Sequence, residues 1–279
     1  MNNYNKRRNF NSNNQRKSGE GYKKAAPIEP QIAPEGLVVG RNAVKELLAE
    51  GRDIEKVYIQ KGEREGSINL LIGMVSERKI PIIELDRQKL DSMCAGVRHQ
   101  GIAALASEAQ YSTVDEILSY AEEKNESPFI VLLDGVEDPH NLGAIIRSAE
   151  CMGAHGIIIP KRRAVGLTPT VSKASAGAIA HMKIAKVTNL SSAIDDLKEK
   201  GLWMYAADMD GKSVYKTDMK GPIGIVLGGE GSGVSRLVKE KCDFVISIPM
   251  YGNVNSMNVS CAAATILSVV ANQRNGEEG

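Results

Sequence analysis

Cysteine and histidine are scarce in this sequence, and their placement excludes several kinds of site. The chain has four residues of each type, scattered along 279 residues without a CxxC pair. Structural zinc sites and disulfide frameworks need such residues at close, characteristic spacings. We therefore predict neither a metal site nor a disulfide. The cysteines are interpreted as small buried side chains in a reducing compartment, namely Cys94, Cys151, Cys242 and Cys261.

Long apolar runs are absent as well. A membrane-spanning helix needs about 20 consecutive apolar residues, and no stretch of the sequence approaches that length. Residues 1–35 also lack the apolar segment that a secretory signal contains. We therefore expect a cytoplasmic protein that does not bind membranes.

Positive charge is concentrated at the N-terminus. Residues 1–35 carry seven Lys or Arg against three Glu and few aliphatic side chains, although the net charge of the chain is only +1. Such a segment buries too little apolar surface to offset its ordering entropy, so we predict that it is disordered. A basic arm can hold nucleic acid electrostatically, and an inert solubilising extension is the alternative.

The rest of the chain alternates between strand-like and helix-like patterns. This alternation predicts a small α/β domain at 36–110, a helical linker at 111–128 and a larger α/β domain at 129–273. The larger domain opens with FIVLLDG, a continuous apolar run typical of strands in parallel sheets. From pattern alone we predict an unknotted, doubly wound sheet, because knotted connections are nearly absent from proteins.

Three loops that follow apolar strands of the larger domain contain unusual residues. In open α/β sheets ligands bind beyond the carboxyl ends of the strands, so we place the candidate site there. The segments are NLGAIIR at 141–147, GGEGSGVS at 228–235 and YGNVNSMN at 251–258. An Asn cap with a surface arginine and a tight glycine turn are the alternative interpretations of the first two. The second is not a nucleotide-binding P-loop, since Val234 stands where that motif has lysine.

Together, the three loops resemble the three sequence motifs of the SpoU family of RNA ribose methyltransferases, in the family's order. The matching segments are NLGAIIR, VLGGEGSGVS at 226–235 and IPMYGNVNSMNVSCAAA at 248–264. The segments LVVGRNAVKELL and VRHQGIAA resemble the ends of the small substrate-binding domain in the ribosomal-RNA branch of this family. The resemblance covers residues 37–271 and leaves out the tail.

The resemblance implies a fold and a set of site residues. The fold would be a trefoil-knotted C-terminal α/β methyltransferase domain that binds S-adenosylmethionine, preceded by a smaller α/β RNA-binding domain. The implied catalytic residues are Arg147, Asn141, Glu230, Ser256 and Asn258. The implied cofactor-binding residues are Leu227, Gly228, Gly229, Ile248, Pro249, Met257 and Val259. Candidate contacts to RNA phosphates are Lys161, Arg162, Arg163 and Lys173, for which solvated surface charge is the alternative.

The resemblance also implies a reaction, in which a ribose 2′-hydroxyl attacks the methyl group of S-adenosylmethionine. We interpret Arg147 as an electrostatic stabiliser, because a neutral guanidinium is costly near neutral pH. The expected substrate is a guanosine in large-subunit (23S) ribosomal RNA, and the expected assembly is a homodimer. Adenosine in the same RNA and guanosine in transfer RNA are alternative substrates. A non-catalytic RNA-binding assembly factor is an alternative of another class.

Overall fold

The computed structural model of the chain describes residues 33–62, 66–229, 231 and 233–276. Nearly all of the basic tail predicted at 1–35 lies outside these residues, as does Glu230. The described part of the chain forms two β-sheets with helices packed against them. The α/β class predicted from the sequence is therefore confirmed, whereas the domain boundaries stay a prediction.

Four short strands form the first sheet: β1 (Leu37–Val39), β2 (Ile54–Gln60), β3 (Ile82–Leu85) and β4 (Ile102–Ala106). They lie in the order β1-β4-β2-β3, with β4 antiparallel to both of its neighbours and β3 parallel to β2. The helices between them are α1 (Arg41–Ala49), α2 (Ser67–Glu77) and α3 (Arg87–Met93). Val57 and Ile59 of β2 belong to the same buried cluster as Val44 of α1 and Leu71 of α2. This sheet therefore has its own apolar core.

Six strands form the second sheet: β5 (Phe129–Asp134), β6 (Gly156–Pro160), β7 (Lys183–Val187), β8 (Trp203–Ser213), β9 (Ile223–Gly228) and β10 (Phe244–Ser247). Their order is β10-β8-β9-β5-β6-β7, and every neighbouring pair is parallel. The apolar residues of β5 are all buried, because alternate side chains enter two different helix-covered clusters. The predicted parallel sheet is thus confirmed.

Six helices accompany this sheet in the described chain: α4 (Val114–Glu123), α5 (Pro139–Cys151), α6 (Pro169–Ala174), α7 (Leu190–Glu199), α8 (Arg236–Lys241) and α9 (Val259–Asn275). The apolar spacing in VSKASAGAIA (171–180) predicts a helix to Ala180, whereas α6 ends at Ala174. Ala176 and Gly177 adopt positive φ angles of 50° and 93°. A left-handed conformation ends a helix, and Ala178–Ala180 continue as a single 3-10 turn.

Strand β5 occupies the point where the chain reverses direction across the second sheet. It lies between β9 and β6. The chain continues from β5 to β6 and β7 on one side, and the later strands β8, β9 and β10 lie on the other side. Leu133 and Asp134 are in register with Leu227 and Gly228. The loops after β5 and β9 therefore leave the same edge side by side, where parallel sheets bind ligands.

The cysteines only partly follow the burial predicted for them. Cys94 is buried and Cys242 is partly buried, but Cys151 and Cys261 are exposed, and all four are free thiols. The burial prediction is wrong for the exposed pair because α5 and α9 bury only one side against the core. The described chain contains no group of three or more His, Cys, Asp or Glu side chains placed to hold a metal ion. None of its helices is long and apolar enough to span a bilayer.

We expect the buried His155 to make stability depend on pH. The His155 side chain accepts a hydrogen bond from the Phe129 amide at Nδ1 (3.0 Å), and its Nε2 lies 3.0 Å from Glu126 Oε2. Burial lowers the pKa of His155 below its usual 6.5, although the Glu126 hydrogen bond opposes this shift. As the pH falls through about 6.5, the unfolded chain therefore binds a proton that the folded chain resists, and stability declines.

The experiment is urea unfolding of the protein and of His155→Gln at about pH 7.5 and about pH 5.5. The variant should be less stable at the higher pH but should lose less stability on acidification, by up to about 1 kcal/mol. His181→Gln is the matched control, because it removes a histidine that is exposed. Equal pH dependence in all three proteins would contradict this account.

Candidate active site

A cavity of about 480 Å³ lies beyond the carboxyl ends of β5 and β9. Pockets for small molecules and cofactors commonly have volumes of roughly 300 to 1,000 Å³. The described residues that line it are Asp134, Gly135, Val136, Glu137, Asp138, Asn141, Arg163, Gly233, Ser235 and Val259. The first two candidate loops line it directly, and Val259 lies immediately after the third. Each of the three motif segments, 141–147, 226–235 and 248–264, therefore contributes at least one residue to the lining of this cavity.

Asp134 organises the glycine-rich loop, although sequence reasoning did not select it. Its side chain accepts a hydrogen bond from the Ser235 amide (2.8 Å), and its carbonyl accepts one from the Gly229 amide (2.8 Å). The loop closes on itself because the Gly233 amide donates to the Gly229 carbonyl at 3.1 Å. The available signal was a carboxylate ending the apolar run FIVLLD.

Gly228 and Gly229 are needed for close packing of the backbone. A Cβ atom on Gly228 would lie 1.9 Å from the Gly233 carbonyl carbon and 2.1 Å from the Val234 nitrogen. A Cβ atom on Gly229 would lie 2.0 Å from the Gly135 carbonyl oxygen. Neither backbone can move away without disturbing the loop, so only glycine fits at these two positions.

Asn141 and Asn258 meet across 117 residues of sequence. The Asn258 Nδ2 donates a hydrogen bond to Asn141 Oδ1 at 3.0 Å. Asn258 also caps α9, since its Oδ1 accepts a hydrogen bond from the Ser260 amide at 2.9 Å. Asn141 is 7% exposed and does not cap α5, because Asp138 performs that role by accepting from the His140 amide. The first and third motifs are therefore in direct contact beside the cavity.

Two other residues predicted to be catalytic face solvent. Arg147 lies on α5, six residues after Asn141, and is exposed. It is not among the residues that line the cavity, and its side chain forms no hydrogen bond or ion pair within the described chain. Ser256 lies in the exposed segment 250–258. The guanidinium of Arg147 is thus available to a large ligand that approaches from outside.

The residues predicted to bind the cofactor differ in burial. Leu227 and Val259 are 2% and 7% exposed, and Gly229 is also buried, whereas Met257 is 41% exposed. The remaining three are partly buried, namely Gly228, Ile248 and Pro249. Val259 lines the cavity and Leu227 belongs to the core beneath it. The structure therefore places Leu227 and Val259 in one apolar cluster, with Val259 at the cavity, and leaves Met257 exposed.

The four predicted RNA-binding residues, Lys161, Arg162, Arg163 and Lys173, are all exposed. Lys173 forms an ion pair with Glu35, with Nζ 2.7 Å from Oε2. Arg163 is the only cation among the described residues that line the cavity, and its φ angle is 56°. Arg163 is therefore exposed to solvent and also lines the cavity.

Comparison with known proteins identifies the family. The sequence model of the SpoU rRNA methylase family matches residues 128–268, and a model described as RNA 2′-O ribose methyltransferase substrate binding matches residues 37–112. The chain is 45% identical over 239 residues to YacO of Bacillus subtilis (strain 168), which is assigned to the TrmH family of tRNA/rRNA methyltransferases. That alignment covers 85% of this chain and 96% of YacO. The chain therefore belongs to the SpoU (TrmH) methyltransferase family, as the three motifs predict.

Solved structures agree with this assignment. The SpoU methyltransferase AviRb from Streptomyces viridochromogenes, in complex with AdoMet, aligns with a TM-score of 0.54 at 24% identity, over 85% of this chain and 89% of that one. The TrmH/SpoU tRNA modifying enzyme of A. aeolicus aligns with a TM-score of 0.50 at 28% identity, over 55% of this chain and 78% of that one. The AviRb match shows a shared fold that includes most of the chain.

Proposed function

We propose that this chain transfers the methyl group of S-adenosylmethionine to the ribose 2′-hydroxyl of a guanosine in 23S ribosomal RNA. The observation that carries the proposal is the hydrogen bond between Asn258 and Asn141. It joins the first and third family motifs beside a cavity that the second motif also lines through Gly233 and Ser235. Cofactor and ribose are thereby assigned to neighbouring parts of one site.

The lining of the cavity suits S-adenosylmethionine. Besides its carboxylate, this cofactor carries a positive sulfonium and a positive ammonium group, and the residues that line the cavity include three acids, Asp134, Glu137 and Asp138. Opposite charges attract more strongly where water is partly excluded. Val259, which is 7% exposed, adds apolar surface. When bound, the cofactor supplies an electrophilic methyl group.

The chain's own residues hold and activate the ribose. Arg147 binds the phosphate next to the target ribose and stabilises the negative charge that develops on the 2′-oxygen as the hydroxyl proton passes to solvent water. Arginine is not deprotonated in proteins, so Arg147 acts as a fixed cation and not as a base. Asn141 and Asn258 orient the ribose through their amide groups. Glu230 and Ser256 help to orient Arg147 and the ribose. In this arrangement polar groups position the substrate and one fixed cation lowers the barrier.

The substrate class follows from the extra segment before the methyltransferase region. The A. aeolicus tRNA modifying enzyme aligns with only 55% of this chain, whereas residues 37–112 match the substrate-binding model. We assign this segment to recognition of folded ribosomal RNA, since RNA-binding modules read shape and 2′-hydroxyl surfaces. Exposed phosphate contacts at Lys161, Arg162, Arg163 and Lys173 add affinity without sequence information.

The organisation of the molecule belongs to the same proposal. The RNA-binding domain spans 36–110, the linker 111–128 and the methyltransferase domain 129–273, with a basic tail at 1–35. We assign to the methyltransferase domain a trefoil knot, in which the segments of the second and third motifs are threaded together. The working form is a cytoplasmic homodimer. The close approach of Gly228 to Gly233 and Val234 is consistent with a tightly threaded loop.

Methyl transfer to purified RNA tests the substrate. The protein and labelled S-adenosylmethionine are incubated separately with protein-free large-subunit RNA, from a strain without the enzyme, and with unmodified bulk transfer RNA. We expect 2′-O-methylguanosine from ribosomal RNA and none from transfer RNA. Incorporation into transfer RNA alone would overturn the substrate class, and 2′-O-methyladenosine would favour an adenosine target. RNA binding without any methyl transfer would favour a non-catalytic assembly factor.

A further inference from the structure

Glu55 is a buried carboxylate that links the two sheets. It lies in β2, is 6% exposed, and its Oε2 pairs with Lys186 Nζ of β7 at 2.5 Å. Its Oε1 accepts a hydrogen bond from the Tyr111 hydroxyl at 2.6 Å. Burial and the adjacent Glu55 carboxylate raise the pKa of Tyr111 far above its usual range, so the hydroxyl keeps its proton and donates it. Lys186 also lies 4.2 Å from the centroid of the Tyr111 ring.

The same carboxylate holds the segment 163–168, which leads from the cavity into α6. The Leu167 amide donates to Glu55 Oε1 at 2.9 Å and to the Tyr111 hydroxyl oxygen at 3.0 Å, and the Leu167 carbonyl accepts from the Glu108 amide at 2.8 Å. Gly166 lies so close that a Cβ atom there would be 1.7 Å from Glu55 Oε2. Both polar groups of the Leu167 backbone are therefore bonded to residues that precede the methyltransferase region.

The other end of this segment is tied to the cavity. The Val165 amide donates to the carbonyl of Val136, a cavity-lining residue, at 3.1 Å. Arg163, two residues earlier, lines the cavity with a φ angle of 56°, a conformation that costs a non-glycine residue energy and persists when neighbouring contacts enforce it. A ribose-phosphate chain entering a site lined by Asp134 and Glu137 meets repulsion that only Arg163 offsets among the described lining residues.

We infer that Glu55 is a positioning residue: it fixes the segment 163–168 and thereby places Arg163 where it receives the RNA backbone at the cavity. This inference rests on the proposed function and deepens it. The small sheet then contributes to catalysis through a polar contact to the active-site segment, in addition to binding RNA. In this assignment Arg163 attracts the phosphates of the RNA, whereas Asp134, Glu137 and Asp138 attract the two positive groups of the cofactor.

Hydrogen exchange measures the positioning without reference to activity. In Glu55→Gln the amides of Val165 and Leu167 should exchange at least about tenfold faster than in the original protein, because the segment opens locally. Asp195→Asn is the matched control, since it removes the carboxylate that lies 2.8 Å from Lys241 Nζ, in an ion pair remote in sequence from this segment. Unchanged exchange of both amides in Glu55→Gln would overturn the positioning role.

A double-mutant cycle measures the consequence for catalysis. Glu55→Gln and Arg163→Ala should each lower kcat/KM for RNA by about 10- to 100-fold. In the Glu55→Gln background, Arg163→Ala should lower kcat/KM by less than about a third of the factor by which it lowers kcat/KM in the original protein. The reason is that the free-energy effects of two residues acting through the same contact are not additive. Fully additive losses would overturn the inference.

Two further comparisons distinguish failure of this inference from failure of the proposed function. Gly166→Ala displaces the Glu55 carboxylate without removing a charge, so it should reproduce both results if Glu55→Gln does not fold. A protein that methylates no RNA would contradict the proposed function, while the exchange experiment would still decide whether Glu55 holds the segment. An active protein in which Arg163→Ala has no effect would remove Arg163, and with it the catalytic part of the inference.

Discussion

Replacing Arg147 with alanine is expected to reduce methyl transfer to RNA by at least about 100-fold. Arg147 is exposed on α5 and forms no ion pair within the described chain, so its charge is free for a ligand. An incoming phosphate and a developing 2′-alkoxide are the negative charges that the reaction requires a cation to stabilise. Because Arg147 does not line the cavity, the Kd for S-adenosylmethionine should change by less than about twofold.

Calorimetry with S-adenosylmethionine and a methyl-transfer assay with RNA measure the two halves of this prediction. Arg147→Lys is the informative companion, since it keeps the charge but loses the planar fork that binds phosphate in two places. We expect it to retain more activity than the alanine variant and less than the original protein. If Arg147→Ala keeps more than about a tenth of the rate, a loss of only about 1.4 kcal/mol, Arg147 does not stabilise the transition state.

Substituting alanine for Gly228 is expected to weaken binding of S-adenosylmethionine by at least about 100-fold and to destabilise the fold by about 1 to 3 kcal/mol. The added methyl group would lie 1.9 Å from the carbonyl carbon of Gly233. Because the clash is with backbone, the loop that joins β9 to α8 has to move. That movement displaces Gly233 and Ser235 from the cavity lining.

Gly73→Ala is the matched control for this substitution. Gly73 is exposed on α2, outside the three motifs, and a Cβ atom there meets nothing within 4 Å. The affinity of this control variant for S-adenosylmethionine and its melting temperature should stay close to those of the original protein. Unimpaired cofactor binding by a folded Gly228→Ala protein would show that the glycine-rich loop is not part of the cofactor site.

Sequence patterns predict the strands and the edge of the sheet where the site lies. FIVLLDG and GIVLGG are long apolar runs, and parallel strands bring their following loops to one edge. The register of Asp134 with Gly228 then follows from pairing of β5 with β9. Those features depend on local periodicity and a general rule of topology, which explains why one sequence suffices to predict them.

Features made by contacts between distant residues are not visible in the sequence. The ion pair of Glu55 with Lys186 joins residues 131 positions apart, and neither stands in a recognisable motif. The hydrogen bonds of Asp134 to the glycine-rich loop are likewise set by the packing of β5 beside β9. Each is decided by which elements become neighbours in space.

The polar segment before α9 contains one feature that local sequence predicts and one that depends on a distant contact. Asn258 caps α9, and its side chain also forms a hydrogen bond with Asn141. The cap is predictable from local sequence, whereas the bond to Asn141 depends on how α9 packs against α5. Ser256 is exposed to solvent, in keeping with a side chain available to a ligand.

Mapping every 2′-O-methylated nucleotide in RNA from cells with and without this protein tests the central claim most directly. The account predicts that one guanosine of 23S ribosomal RNA loses its ribose methyl group when the protein is absent. Expression of the original protein should restore that methyl group, and expression of Arg147→Ala should not. An unchanged set of 2′-O-methylated positions in ribosomal RNA would contradict the account.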